Sequence, residues 1–341
     1  MSEGLVTLED IRQAAVRIRP LARATPLIAV DDTDAGDRRG GGPRPLYLKC
    51  ENFQLGGSFK IRGAANMILQ LDPDERRRGV ITYSSGNHGI AVSLAARLAG
   101  SHAVVVMPTT APAVKVEAAR ALGAEIVFEG TTTIERKART EAESAARGLT
   151  IVPPFDHPRI IAGQGTIGLE ILEQAPDVAE VYVPASGGGL LSGIAAAIKS
   201  LAPAVRLIGV EPAGCPRMAR SLAAGHPVTV PASAGIADGL LAVRPGDVTF
   251  AHIEALVDEI VAVDDGAIAG AVEWIFNRAR AVAEPSGAAA VAAAMGLGET
   301  TWSRGGEGAL RAAGGAAVAV VSGGNVDAEA FGRYITSARH T

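Results

Sequence analysis

Lys60 lies between Phe59 and Ile61, directly after Gly56, Gly57 and Ser58, in the stretch ENFQLGGSFKIRGAA that spans residues 51–65. Apolar neighbours and a glycine-rich approach suit a lysine that leaves water, and desolvation disfavours an ammonium and lowers its pKa. A free amine next to a carbonyl forms a Schiff base. The same residue types also allow a helix lysine with a buried stem and a solvated head, so Lys60 alone does not decide the chemistry.

Two further stretches could bind anions. SGGGLLSG at residues 186–193 follows an apolar run and opens a helical pattern. Consecutive glycines let several N–H groups point at one place, and a helix N-terminus adds partial positive charge, which makes a phosphate cradle without any lysine. No GKS or GKT follows, and the GxGxxG spacing is missing, so neither a nucleotide P-loop nor a dinucleotide site is indicated. A closely packed strand-to-helix turn is the competing reading. SSGNHG at residues 84–89 holds the same position after another apolar run, with small hydroxyls, amides and Asn87 suited to a carboxylate. His88 there is either a packing residue or a catalyst. SGGN at residues 322–325 places a serine after a third apolar run, at the strand end where parallel sheets keep their ligands.

The elements that must position these stretches alternate. The periodicities predict strands over 46–48, 80–83, 103–107, 125–128, 181–184, 206–211, 260–263 and 317–321. They predict helices over 8–18, 58–71, 87–99, 113–122, 134–147, 160–173, 190–201 and 217–224. Short apolar strands alternating with helices predict an α/β fold with parallel strands and right-handed crossovers, in two successive series. Residues 34–45 and 225–247, rich in glycine and proline, read as surface segments.

At 341 residues the chain exceeds the size of a single ordinary core, and 48% apolar with 20% charged residues suits a globular protein. A balance of 32 basic and 36 acidic residues gives no basic field for nucleic acid. No apolar run reaches the ~20 residues that cross a bilayer, so no membrane partner is expected. The start MSEGLVTLEDIRQ places acids where an export signal needs bases, which predicts a cytoplasmic location. Cys50 and Cys215 have no zinc-like spacing and read as small buried side chains.

Seven motifs, ENFQLGGSFKIRGA, SSGNHG, IAGQGT at 161–166, SGGGLLSG, IADG at 236–239, EPSGA at 284–288 and SGGN, stand in the order and spacing of the threonine/serine dehydratases dependent on pyridoxal 5'-phosphate (PLP). The chain resembles this family, which includes serine racemase, from about Thr7 to Asp327. The resemblance implies a fold-type II, tryptophan synthase β-like α/β architecture of two open, twisted, mostly parallel sheets flanked by helices. Its large PLP-binding domain would comprise residues 1–54 and 158–341, and its small substrate-side domain residues 55–157. It implies PLP as cofactor, a β-hydroxy amino acid as substrate, and a homodimer. Lys60 would be the Schiff-base lysine, with Phe59 beside the ring and Asn87 on its 3'-oxygen. Gly187, Gly188, Gly189 and Leu190 would give amides to the phosphate. Ser322 would meet the pyridine nitrogen, and Gly239 and Glu284 would line the ring edge. Ser85, Gly86, Asn87 and His88 would receive the substrate carboxylate, with Ser85 also matching the second-face catalytic serine of the racemase.

The sequence departs from the family pattern at some points. Gly57 stands where threonine is frequent, and Ser186 where the phosphate loop has glycine. No regulatory domain follows Asp327, as in the short forms of the family. Metal-stimulated members have a carboxylate six residues after the counterpart of Glu211; here that position is Arg217, and no metal site is predicted, since a guanidinium cannot ligate Mg²⁺ or Ca²⁺. Ala242 replaces a racemase serine, whereas Arg136 matches a racemase arginine. Dehydration and deamination of L-threonine, L-serine or a close analogue is therefore the leading expectation. Racemisation with side dehydration comes next, and hydroxyaspartate or phenylserine remain open as substrates. A non-catalytic PLP- or amino-acid-binding protein and a nucleotide-binding protein are the alternatives of a different class.

Overall fold

The computed structural model describes residues 4–30, 45–84, 86–111, 113–305 and 315–337. The surface loop expected at 34–45 falls outside them apart from Pro45, as does Ser85. The first half of the chain runs α1 (Leu8–Ile18), β1 (Leu27–Val30), β2 (Leu46–Cys50), α2 (Lys60–Ile68), α3 (Pro73–Arg78), β3 (Val80–Tyr83), α4 (Asn87–Leu98), β4 (Ala103–Met107), α5 (Ala113–Ala121), β5 (Glu125–Phe128), α6 (Thr133–Arg147) and β6 (Thr150–Ile151). There follow α7 (Pro158–Gln174), β7 (Val178–Pro184), α8 (Gly189–Leu201), β8 (Arg206–Pro212), α9 (Arg217–Ala224), α10 (Asp247–Leu256), β9 (Glu259–Val263), α11 (Asp265–Ala279), α12 (Pro285–Ala294), β10 (Glu299–Ser303), β11 (Ala316–Val321) and α13 (Ala328–Ser337).

Local chemistry starts the helices. Thr7 accepts from the Asp10 amide while the Asp10 side chain accepts from the Thr7 amide, a capping box that satisfies two orphan donors at once. Thr132 with Glu135 does the same for α6, which Gly148 ends in a left-handed turn. The strands are apolar throughout where helices cover both faces: every residue of β4 and β11 is apolar and buried.

Among the described residues the strands form two sheets, ordered β1-β2-β11-β7-β8-β9-β10 and β5-β4-β3-β6. All pairs in the smaller sheet are parallel. The larger sheet is mostly parallel, as expected, with antiparallel pairs only at its two edges, where β1 runs antiparallel to β2 and β10 to β9. The parallel pairs β7–β8 and β8–β9 are joined through α8 and through α9 and α10, and the return from β9 to the antiparallel β10 carries α11 and α12. Residues 225–247 are irregular apart from a 3₁₀ turn at Asp238–Leu240. Both cysteines are free and buried. No helix among the described residues is long and apolar enough to cross a membrane.

Helix α2, which begins at Lys60, packs against α7 and α4. The IAGQGT motif serves this packing: a Cβ on Gly163 would come within 2.6 Å of the Arg62 carbonyl oxygen, so only glycine lets the two backbones approach. Ionic bonds then pin the helix. The Arg62 guanidinium donates to both Glu51 oxygens at 2.8 Å and to Glu170 at 2.6 and 3.0 Å, and Lys49 reaches Glu170 at 2.6 Å. Glu51 is fully buried, with the Thr25 hydroxyl as its remaining hydrogen-bond donor at 2.5 Å. This cluster ties the first turns of α2 to β2 and α7, and so fixes where Lys60 begins.

Candidate active site

Strands β2, β11 and β7 are parallel neighbours, so the segments leaving their C-terminal ends emerge side by side. Those segments carry Lys60, Ser322 and the residues 187–190. Two of them are joined directly. Ser58 bridges Gly323, the Phe59 amide donates to the Ser322 carbonyl at 3.1 Å, and the Gly324 amide donates to the Gly57 carbonyl at 2.9 Å. More than 250 residues of chain separate these partners, and sheet order brings them together.

Lys60 is half-buried, and its Nζ donates to the Pro154 carbonyl at 2.8 Å while standing 5.1 Å from the centre of the Phe59 ring. Desolvation lowers its pKa from 10.5 to about 8, against the opposing charge of Glu284. A substantial fraction of neutral amine therefore exists near neutral pH, the form that attacks carbonyls. Burial likewise pushes the Glu284 carboxyl up to about 8, opposed by the hydrogen bond it accepts from Asn87 Nδ2 at 2.6 Å. Asn87 Oδ1 in turn accepts from Asn325 Nδ2 at 2.8 Å, and the same Nδ2 donates to the Gly56 carbonyl. Asn87 opens α4 of the smaller sheet, so this chain of bonds spans both sheets at the amine.

The turn between β7 and α8 has the form of an anion cradle. Gly188 has φ of +102° and caps α8, with no side chain bonded to the helix's first amides. The Gly187 carbonyl is held by the Thr249 hydroxyl at 2.6 Å and by the Gly246 amide at 3.2 Å, and Leu190 is buried. The Ser322 side chain is 5% exposed, and its hydroxyl makes one long bond, 3.4 Å, to the Ser286 carbonyl. Ser286 Oγ accepts from the Gly239 amide at 2.9 Å, which brings the 3₁₀ turn to the same sheet edge.

At the start of α4, Gly86 supplies no side-chain cap. The His88 ring is buried, with Nε2 on the Val152 carbonyl at 3.0 Å, so Nε2 carries the proton and Nδ1 is left buried without a partner. Desolvation, with the charge of Lys60, lowers its pKa to about 3. Ser58 Oγ is a second buried polar atom without a partner.

A half-buried amine of lowered pKa, an uncapped glycine turn, a second uncapped helix start and unsatisfied buried polar atoms together suit a small molecule carrying a carbonyl and a phosphate, beside a carboxylate. The structure thus brings the sequence-predicted Phe59, Lys60, Asn87, Gly187, Gly188, Gly189, Leu190, Gly239, Glu284 and Ser322 to one edge of the larger sheet, with Gly86 and His88 at the facing helix. Sequence reading left Asn325, Thr249, Ser286 and Phe155 without a part. Asn325 orients Asn87, and a Cβ on Gly187 would lie within 2.4 Å of the Phe155 ring. The SGGN motif contained a signal for Asn325, and EPSGA one for Ser286. At the doubtful metal position, Arg217 is fully buried and donates to carbonyls of the Ala185–Ser186 segment and of Cys215. Among the described residues no group of three or more His, Cys, Asp or Glu side chains could hold a metal ion.

Comparison with known proteins accords with this geometry. A family model described as "Pyridoxal-phosphate dependent enzyme" matches residues 18–308. Serine racemase of Oryza sativa subsp. indica is 42% identical over 288 residues, covering 84% of this chain and 83% of the rice protein. The L-threonine ammonia-lyase of Thermotoga maritima is 40% identical over 334 residues, covering 97% of this chain and 78% of its own. The solved structure of maize serine racemase superposes with a TM-score of 0.87 at 37% identity, covering 98% of each chain. With these matches over most of its length, the chain belongs to the pyridoxal-phosphate dependent enzyme family.

Proposed function

We propose that the chain catalyses β-elimination on L-threonine, L-serine or a close β-hydroxy amino acid, releasing a 2-oxo acid and ammonia. The observation that carries this reading is the Lys60 amine, of lowered proton affinity, at the same sheet edge as an uncapped glycine turn. When bound, PLP supplies an electron sink for the charge left at Cα. Amides of Gly187, Gly188, Gly189 and Leu190 would hold its phosphate, with Asn87, Gly239 and Glu284 at the ring edge and Phe59 beside it. Ser322, a neutral hydroxyl, would face the ring nitrogen without enforcing its protonation, which favours elimination over transamination. Lys60 takes the Cα proton, a role for which a pKa of about 8 is well matched near neutral pH. Amides of Gly86, Asn87 and His88 would receive the substrate carboxylate, with Ser85 beside them.

Racemisation of serine is the second reading, favoured by the likeness to the rice and maize serine racemases. Residues 1–54 with 158–341 would form the large domain and 55–157 the small one. The family likeness also supports a homodimer and a cytoplasmic location, open to gel filtration and cell fractionation.

A panel of β-hydroxy amino acids scored for 2-oxo acid, ammonia and enantiomer content tests the assignment. Pyruvate or 2-oxobutyrate should accumulate faster than any D-amino acid, and the reverse order overturns the elimination reading. Lys60→Ala should lose turnover entirely; borohydride reduction should fix the cofactor on Lys60 in the parent chain, and a tag on any other lysine refutes its role.

A further inference from the structure

The glycine turn contributes backbone amides, and an amide is useful only if its peptide plane is aimed. A peptide plane fixes the N–H opposite to the C=O in a trans bond, and among the described residues no cis bond occurs. Whatever holds the carbonyls of Ser186 and Gly187 from behind therefore aims the amides of Gly187 and Gly188 in front. Thr249 and Gly246 hold the Gly187 carbonyl. The Ser186 carbonyl accepts from Arg217 Nε at 3.1 Å, the neighbouring Ala185 carbonyl accepts from Nη2, and Nη1 reaches the Cys215 carbonyl at 2.7 Å.

This arginine is 0% exposed and begins α9, so its charge and five donors are spent inside the protein. A buried guanidinium costs several kcal/mol unless its surroundings compensate it. Glu211 at the end of β8 is itself fully buried: burial pushes its carboxyl above the usual range, against the charge of Arg217 and the hydrogen bonds it accepts from the Met218 and Ala219 amides at 2.8 and 3.0 Å. Glu211 thus anchors the helix start that carries Arg217, and Arg217 clamps the strand end that leads into the glycine turn.

We propose that Arg217 is a positioning residue for the cofactor phosphate: an internal cation that fixes the Ala185–Ser186 peptide planes so that the amides that follow converge on the phosphate. The inference rests on the PLP reading of the glycine turn. Arg217 acts through the backbone and touches neither cofactor nor substrate. Its loss should therefore weaken whatever part of affinity comes from the phosphate and spare the part that comes from the aldehyde and ring.

The test compares binding of PLP and of pyridoxal, which lacks the phosphate, to the full chain cleared of cofactor. The parent chain should bind PLP far more tightly than pyridoxal. Arg217→Met should lose about tenfold or more in PLP affinity, the loss of charge-assisted hydrogen bonds, with pyridoxal affinity unchanged within about twofold. Thr249→Val, which leaves the Gly187 carbonyl only the longer bond from the Gly246 amide, should show a selective loss of the same kind. Should Arg217→Met fail to fold, Arg217→Lys keeps the charge but not the fork, and an intermediate selective loss is expected. Equal losses for both ligands would assign Arg217 a general structural role and overturn the proposal, as would undiminished PLP affinity in Arg217→Lys and Thr249→Val together. A parent chain that binds neither compound would instead overturn the cofactor reading itself.

Discussion

Replacing Arg62 by methionine should destabilise the protein by about 3–5 kcal/mol, several times the effect of removing an ordinary surface arginine. The magnitude follows from what is left behind. Methionine keeps most of the side-chain volume but withdraws two bonds from Glu51, two from Glu170, one from the Thr166 hydroxyl and one from the Arg23 carbonyl. Glu170 has a 17% exposed side chain and keeps Lys49, so it recovers part of its solvation. Glu51 has none to recover: its side chain is 0% exposed, and among the described residues only the Thr25 hydroxyl would still donate to its carboxylate. A buried carboxylate that has lost its bonded cation dominates the cost.

The assay is urea unfolding followed by the fluorescence of Trp274 and Trp302, in Arg62→Met, Glu51→Leu and the double variant. Because the penalty belongs to the stranded charge and not to the lost pair, the double variant should recover most of the stability that Arg62→Met loses. Kinetics should follow the structure, since α2 starts at Lys60 and the cluster fixes its first turns; Arg62→Met should lower kcat/KM and the double variant restore it only in part. A loss below about 1 kcal/mol in Arg62→Met, or a double variant whose loss equals the sum of the singles, would refute the argument that a buried, mutually dependent ion cluster holds α2.

Three other expectations concern the site. Glu284 has a folded pKa of about 8 against 4.5 unfolded, so its contribution to the stability of the cofactor-free chain is full below 4.5 and is lost as pH rises through about 8; in Glu284→Gln the fall in stability between about pH 5 and pH 8 should flatten, and an unchanged slope would exclude Glu284 as its source. Gly57 has φ of +72°, and a Cβ there would lie 2.2 Å from Asn325 Oδ1, so Gly57→Thr, toward the residue frequent in the family, should cost more than about 1 kcal/mol and reduce turnover by displacing the amide that orients Asn87; a variant as stable and active as the parent contradicts this. With Arg217 bonded to three carbonyls beside Glu211, chelators should leave the rate unchanged and added Mg²⁺ should not raise it; a chelator-sensitive rate would show that cation binding survives the arginine.

The sequence made some of this legible and hid the rest for physical reasons. Strands β3 and β4 and their helices were readable because short buried parallel strands and the helices between them differ sharply in period. Helix α12, PSGAAAVAAA, escaped because it is buried on all sides and has no polar face to set a period. Strand β10 escaped for the opposite reason: ETTWS is a largely exposed edge strand with a register shift and little apolar content. In the site, residues whose chemistry sits within one strand-to-helix turn, such as Lys60 and Gly187, were visible as contiguous motifs. Arg217, Thr249 and Asn325 act on backbone groups dozens to hundreds of positions away, and only the sheet order β2-β11-β7-β8 makes them neighbours. Arg217 could be read as a departure from a metal site, but not as a donor to the phosphate turn.

The same geometry bears on which reaction the site favours. Elimination needs one base on one face of Cα, and under the proposed reading Lys60 would be that base, with a half-buried amine whose pKa burial lowers to about 8. Racemisation needs a second proton-exchanging group on the opposite face. Among the side chains described at the start of α4, His88 is the only imidazole, and it is disqualified twice: Nε2 is committed to the Val152 carbonyl, and burial beside Lys60 drops its pKa to about 3, so its free nitrogen holds no proton to give at neutral pH. Its value to the site lies in the backbone amide at the helix start and in an imidazole that stays neutral next to a lysine, keeping that lysine from competing with a second fixed cation. A residue type that suggests acid–base catalysis is thus reduced by its surroundings to packing and polarity.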